Sequence, residues 1–401
     1  MSIPVGSKAE QGQFHGRTRE LDDLWNLLES NNVVLSGPRR LGKTSILQRL
    51  SDQADAHGWH ATLIDLEGHR TVKQMLSEIE RKLPASSIER WFETTKSATS
   101  RAAERLRKIE VKLPGGMGGA IDLQAPPETP WSDHAQQIQT RLRSQPVLLL
   151  IDEFSVFLEK LISDDRADAE NLLGWLRTWR GASQVHCRFV FSGSVGLNTL
   201  LTHHKLNTYF NDCYDFRLQA FTRTEALAMV QTEIKEEHRQ CEIGVPEYIC
   251  DRVGWLSPYY VNLLLLEAIR AARDRESEAA TADTPLTNPD VDDGYERLLA
   301  IRSRFVHWAQ RLERDLPTDA LAVAKRVLTA VAAAQANGLT RKQLLARLHA
   351  IEPNPDIRAQ RFEAVLWHLQ EDGYLTMENV DERIRFLSFL LRDYWHRNHG
   401  H

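Results

Sequence analysis

Eight consecutive residues carry the clearest chemistry in this chain: Gly37-Pro38-Arg39-Arg40-Leu41-Gly42-Lys43-Thr44. They match the pattern G-x-x-x-x-G-K-[ST], and their flanks suit it. Asn32 to Ser36 is a short apolar strand, and Ser45 to Leu50 has helical spacing with no breaker. Glycines in such a turn let several backbone N–H groups converge on phosphate oxygens, and the helix that follows adds the positive end of its dipole. Within this run Lys43 reaches the outer phosphates and the Thr44 hydroxyl is placed to ligate Mg²⁺. The stretch from Gly37 through Ser45 is therefore read as a nucleotide cradle, with Arg39 and Arg40 able to touch phosphate from inside the loop.

Hydrolysis requires more than a cradle. Val147-Leu148-Leu149-Leu150-Ile151-Asp152-Glu153 ends a buried strand in two acids. Asp152 is expected to hold the metal shell, and Glu153 to align or deprotonate the attacking water. Phe189-Val190-Phe191-Ser192-Gly193-Ser194 forms another strand end. If it lies between the first two, Ser192 or Ser194 sits where a γ-phosphate can be sensed.

These residues need a scaffold that brings strand ends together. Five candidate strands, 33–36, 61–66, 147–151, 188–193 and 214–218, alternate with helical stretches. That order predicts a parallel three-layer α/β sheet of the phosphate-loop type. Residues 1–13 read as a lead-in, and 14–221 as the nucleotide-binding core. Residues 85–131 are too long for one crossover. They contain a charged helical stretch, 88–108, and a glycine cluster without a following Lys-Ser/Thr, read as an inserted hairpin around 109–124. From Thr222 to about 272 the pattern is helical and suits a lid. Residues 273–290 are polar and rich in Ala, Thr and Pro, which predicts a linker; a helix from about Asp292 to Glu313 completes a connecting stretch, 273–317. The segment 318–401 reads as helices over 319–336, from a capping box at Thr340/Gln343 to about His349, and over 357–371. A hairpin across Glu378–Glu382 and an amphipathic helix from Leu390 to Arg397 follow. Three helices and a hairpin make a winged-helix pattern.

Composition narrows the function classes. The chain has 401 residues and a formal charge of −5, which gives no global attraction to nucleic acid. No apolar run approaches a membrane span. The start of the sequence lacks the features of a secretion signal, so a cytoplasmic location is expected. Cys187, Cys213, Cys241 and Cys250 have neither disulfide-framework nor zinc-site spacing. Over 318–401 the Lys and Arg residues nearly balance the Asp and Glu residues, and the tip of the hairpin is acidic. A duplex-binding module usually shows a basic stripe. Direct duplex binding is therefore the less favoured role for this segment.

Further motifs carry a family resemblance. Phe14-His15-Gly16-Arg17-x-x-Glu20-Leu21 resembles the opening box of the AAA+-related STAND ATPases, in particular their archaeal-ATPase-like branch. The GPRR-x-GKT loop, the LLLIDEF strand and FSGS-x-GL at 191–197 are similar to the same branch. So are Gly254-Trp255-Leu256-Ser257-Pro258-Tyr259-Tyr260 and the ending Phe386–Trp395. The resemblance implies an AAA-type sheet, a helical lid and a winged helix acting as a nucleotide-controlled switch, with ATP or ADP and Mg²⁺ as ligands. It also implies that Gly16 and Arg17 flank the adenine and that Pro258 packs near the base or ribose. Two departures stand out. Gly254 and Pro258 are four apart where the wider family has a tighter G-x-P. The stretch 195–213 holds Lys205 and no arginine, so a ring motor is not implied. Arg177 and Arg180 are the nearest alternatives for a transition-state arginine.

Two functions from different classes follow. One is a slow, Mg-dependent ATPase switch whose winged helix docks according to nucleotide state and is read by a protein partner or effector. It would be free of membranes and could form a nucleotide-dependent oligomer. The alternative is a DNA-binding AAA+ ATPase of the initiator or target-selector type, using the winged helix on duplex DNA. A nucleotide-locked scaffold with negligible turnover is a third reading.

Overall fold

The structure, a computed structural model, describes residues 3, 14–83, 131–142, 146–181, 187–193, 196–280, 284–377 and 382–399. Most of the expected lead-in, the stretch 88–108, the hairpin around 109–124, Ser194 and most of the Glu378–Glu382 turn lie outside the described residues.

The first sheet contains β1 (Asn32–Ser36), β2 (His60–Asp65), β3 (Val147–Asp152), β4 (Cys187–Ser192) and β5 (Cys213–Arg217). All neighbours are parallel, in the order β2-β3-β4-β1-β5. The five expected strands are present within a residue of the expected bounds, and β4 lies between β1 and β3 as anticipated. Every residue of β3 is buried. A parallel strand covered on both faces is expected to read as a continuous apolar run, and Val147–Ile151 does. On one face Val33, Leu35, Leu148, Leu150 and Val190 join a core that includes α1 (Thr18–Leu28) and α2 (Lys43–Gln53). On the other, Val34, Leu149, Ile151, Phe189 and Phe191 pack with α3 (Val72–Lys82), α4 (Ser132–Arg141), α5 (Phe154–Asp164), α6 (Arg166–Arg180) and α7 (Leu197–His203).

A helical layer follows: α8 (Arg223–Glu236), α9 (Val245–Val253) and α10 (Pro258–Glu278). Thr222 and Glu225 close a capping box that starts α8. The stretch read as a linker from 273 behaves differently. α10 continues through Glu278, and α11 (Asn288–Ala300) starts at a capping box between Thr287 and Asp290. Arg275 Nε donates to Asp290 Oδ1 at 2.8 Å, and Arg239 Nη2 donates to Glu276 Oε2 at 2.8 Å. The polar composition is thus spent on ion pairs that pin the connection. The expected helix from Asp292 to Glu313 is broken at Ile301, giving α11 and α12 (Arg302–Asp315).

The C-terminal unit comprises α13 (Thr318–Ala333), β6 (Leu339–Thr340), α14 (Arg341–Arg347), α15 (Pro355–Glu371), β7 (Leu375–Met377), β8 (Arg383–Phe386) and α16 (Phe389–His399). Its three-stranded antiparallel sheet has the order β6-β8-β7. The two-residue strand β6 was not anticipated, because a segment that short carries no periodicity. No helix among the described residues is long and apolar enough to cross a membrane.

Candidate functional site

The loop between β1 and α2 is held from several sides. Gly37 has φ 127°, and a side chain there would meet the carbonyl of Leu218, just past β5, at 2.7 Å. Only glycine suits both the conformation and the approach. Gly42 starts α2 at φ 90°, and Leu41 is buried beneath the loop. Lys43, 7% exposed, donates from Nζ to the carbonyls of Gly37 at 2.7 Å and Pro38 at 3.0 Å. Burial pulls its ammonium down to about 8, against the opposing pull of the Glu153, Asp152 and Asp372 carboxylates. Lys43 is therefore an under-neutralised cation enclosed in its own loop, which is the electrostatic condition for seizing an anion.

Across from it, Thr44 Oγ1 donates to Asp152 Oδ2 at 2.6 Å, and Asp152 Oδ1 accepts from the Glu153 N–H at 3.0 Å. One hydroxyl and one carboxylate thus converge at the start of α2 and the end of β3. An all-oxygen pair of this kind suits Mg²⁺, which is commonly bound by one or two protein oxygens with phosphate and water completing the shell. Glu153 adopts a left-handed backbone, φ 53° and ψ 28°, at the start of α5. Arg17 and Arg40 are left-handed as well, at φ 67° and 69°. Non-glycine residues in this region cost about 1–2 kcal/mol each and tend to gather where geometry is functionally constrained. Ser192, at the end of β4, is 2% exposed and its hydroxyl has no partner among the described residues.

The remaining expected residues brace the loop. Arg17, 2% exposed, donates to Glu20 Oε1 at 2.6 Å and to the carbonyl of Leu41 at 3.3 Å, with its guanidinium 4.6 Å from the Phe221 ring centroid. Gly16 leads into it at φ 61°. The Arg40 guanidinium lies 4.0 Å from the centroid of Tyr259, and the Arg40 carbonyl accepts from Ser257 Oγ at 2.6 Å. Pro258 is the first residue of α10, directly after that contact, so the Gly254–Tyr260 motif meets the phosphate loop. Arg180 is committed elsewhere: its side chain is fully buried and forks onto Asp212 at 2.8 and 2.9 Å. Its Nη1 is buried without a partner among the described residues, so the side chain serves the packing around Asp212 rather than an open phosphate site.

Sequence reasoning missed the most consequential contact. The turn after α15 reaches the loop itself. Gly373 has φ 78°, and a Cβ there would lie 2.8 Å from Pro38 Cβ and 3.6 Å from Trp255 Cη2. The preceding residues add charge. Glu371 Oε1 accepts from Arg217 Nη1, at the end of β5, at 2.8 Å. Asp372, 5% exposed, bears on Lys43 and lies 3.5 Å from His368 Nε2 and 3.8 Å from Arg311 Nη2. Tyr374 OH donates to the carbonyl of Trp308 at 2.9 Å. In the sequence, Gly373 has only the look of an ordinary helix C-cap. Nothing local shows what such a cap will rest on.

Three arginines of the C-terminal unit are also engaged. Arg358 donates to the carbonyls of Glu352 and Pro353, and Arg361 pairs with Glu352 and Asp319. Arg341 pairs with Glu363.

Comparison with known proteins agrees with this geometry. Residues 28–201 match the family described as an AAA domain. No curated protein matches the chain in sequence. Among solved structures, the Walker-type ATPase of Pyrococcus abyssi superposes with a TM-score of 0.63 at 15% identity, covering 98% of this chain and 99% of that one. The ORC2 protein of Aeropyrum pernix, solved as ADPNP-ADP complexes, gives 0.52 at 13% identity over 95% of this chain and 94% of its own. At such identities the likeness is one of fold. The fold is that of an AAA+-like P-loop NTPase.

Proposed function

We propose that this AAA+-related chain is an ATP-binding and ATP-hydrolysing switch of the STAND type, in which nucleotide state controls whether a C-terminal winged helix rests on the phosphate loop. Residues 14–221 serve as the core, 222–272 as the lid, 273–317 as the connector and 318–401 as the winged-helix domain. The single observation that carries this reading is the seating of Gly373 on Pro38, with Asp372 in the field of Lys43.

In this reading the loop amides from Gly37 to Ser45 and the Lys43 ammonium bind the phosphates of ATP. Thr44 and Asp152 hold Mg²⁺, which when bound neutralises charge on the transferred phosphoryl group. Glu153 aligns the attacking water and accepts its proton, while Ser192 reports on the γ-phosphate from the neighbouring strand end. Gly16, Arg17 and Pro258 close around the base, and Arg39 and Arg40 stay near the phosphates. An outer phosphate drawn to Lys43 places negative charge facing Asp372. Like charges in a buried setting repel, so ATP favours release of the Glu371–Asp372–Gly373 turn and ADP favours its docking. A protein effector, or a nucleotide-dependent oligomer, would then read the exposed surface. Because docking must be broken in each cycle, turnover is slow.

The test uses fluorophores on the core and on α16, read with ADP and with a non-hydrolysable ATP analogue in Mg²⁺. ATP-analogue-dependent separation supports the switch. Equal transfer efficiency with both nucleotides, at saturating occupancy, removes it. The DNA-binding alternative gains nothing from α15, whose cations are already paired. Duplex binding that falls steeply with salt would nonetheless establish it.

A further inference from the structure

Glu153 raises a physical problem. Its left-handed backbone is unfavourable for a glutamate, and α5 begins with no side-chain cap. The Asp152 carboxylate accepts from the Glu153 N–H, and the start of α5 also packs against β4, where the Phe154 and Phe191 ring centroids lie 4.9 Å apart.

Two residues further on, Ser155 is fully buried, and its hydroxyl has no partner among the described residues. It rests on Gly193, the residue that follows Ser192. A Cβ on Gly193 would lie 2.0 Å from Ser155 Oγ, 2.9 Å from Ser155 Cβ and 3.1 Å from the Ser155 backbone nitrogen. Turning the hydroxyl away would not relieve such a clash, because the Cβ and the backbone nitrogen remain too close. The helix start and the strand end therefore touch at a point where only glycine fits. On one side of that point sits Glu153, and on the other Ser192.

We propose that the seat of Ser155 on Gly193 is a positioning contact that sets the proposed water-activating Glu153 against the proposed phosphate-sensing end of β4. This rests on the ATPase reading and extends it to two residues with no assigned role. Neither touches nucleotide. Their effect is to hold Glu153 in its strained backbone and to fix its distance from Ser192, so that arrival of the γ-phosphate at one is registered at the other. The Ser155 hydroxyl has no partner among the described residues, so the contact acts through its shape rather than through a hydrogen bond.

The geometry gives an ordered series. Gly193→Ala should lower single-turnover ATP hydrolysis by about 30-fold or more, since forcing apart a packed contact costs about 2 kcal/mol or more, while the dissociation constant for a fluorescent ATP analogue changes less than about threefold. Ser155→Gly in the same chain removes both closest atoms and leaves the 3.1 Å approach to nitrogen, so the double variant should recover most of the rate. Ser155→Ala with Gly193→Ala leaves Cβ facing Cβ and should recover less. Loss of turnover in Gly193→Ala with rescue in that order establishes the contact. Normal turnover in Gly193→Ala, or a Ser155→Gly double variant no better than the single one, overturns it. Should Gly193→Ala fail to fold, the comparison passes to the two double variants, and equal rates for them overturn the proposal. If the wild-type chain hydrolyses no ATP, the ATPase reading fails, which is separable from failure of the series in an active wild type.

Discussion

The contact between Gly373 and Pro38 allows the switch to be tested by adding one methyl group. Gly373→Ala introduces two costs that act on different equilibria. The first is conformational: φ 78° is left-handed, and an L-residue there costs about 1–2 kcal/mol relative to glycine. That turn belongs to the C-terminal unit whether or not it is docked, so this cost lowers stability without moving the switch. The second is steric. The new Cβ would stand 2.8 Å from Pro38 Cβ, where carbon atoms prefer about 3.5–4.0 Å. Overpacking of this kind costs about 1–3 kcal/mol and falls on the docked state alone. At about 1.4 kcal/mol per factor of ten, the docked population should fall by about 5- to 150-fold relative to the undocked one. Gly58→Ala is the control, because Gly58 has φ 77° with nothing within 4 Å of its added Cβ. Both variants should melt at lower temperature. Only Gly373→Ala should release a fluorescent ADP analogue faster and cleave ATP faster. If the two variants release ADP at the same rate while both are folded, the docked turn does not govern the nucleotide site.

Other consequences are more easily read. With the Lys43 ammonium at about 8 in the open site, phosphate binding must reprotonate it above that pH. Nucleotide affinity should therefore hold below pH 8 and weaken by up to about tenfold per unit above it; titration calorimetry with ADP from pH 7 to 9.5 checks this, and Lys43→Arg should flatten the dependence. The same depression works against folding. The ordinary lysine value lies higher, so the unfolded chain binds more protons between pH 8 and about 10.4, and this group's contribution to stability rises across that window. Glu153→Gln should bind ATP within about threefold of wild type while slowing hydrolysis by about 100-fold or more, as expected for loss of a general base. Equal loss of binding and turnover would remove Glu153 from that role. Arg180→Leu strips the partner from Asp212 and should cost about 2–3 kcal/mol in chemical denaturation, below the roughly 3–5 kcal/mol of a fully buried broken pair because the Asp212 side chain is 34% exposed.

The parts of this molecule that could be read in advance are those whose signal is local. The strand Val147–Ile151 announces itself because burial on both faces demands an unbroken apolar run, and the phosphate loop because its spacing is fixed by the size of a phosphate. The Thr340 capping box was legible for the same reason: four residues suffice. The stretch from Arg273 misled because polar composition resembles a linker until its partners are known. Arg275 and Glu276 find theirs at Asp290 and Arg239, residues no window around 273–280 contains. Gly373 and Gly193 were opaque for a stronger reason. What constrains each is an atom contributed by a distant or differently oriented segment, and glycine gives no sign of whether it is chosen for its backbone or for the neighbour it admits. Arg217 likewise carries no mark that its counter-charge lies 154 residues away, on Glu371.

The left-handed backbones of Arg40 and Glu153 have a consequence for engineering. Glycine at either position would relax the chain by roughly a kilocalorie, so a screen for heat resistance should enrich such changes. Each would discard a side chain: the Arg40 guanidinium that lies over Tyr259, or the carboxylate proposed to align water. On the proposed function, thermal robustness and turnover are therefore opposed at these two positions, and variants selected for one are expected to drift away from the other.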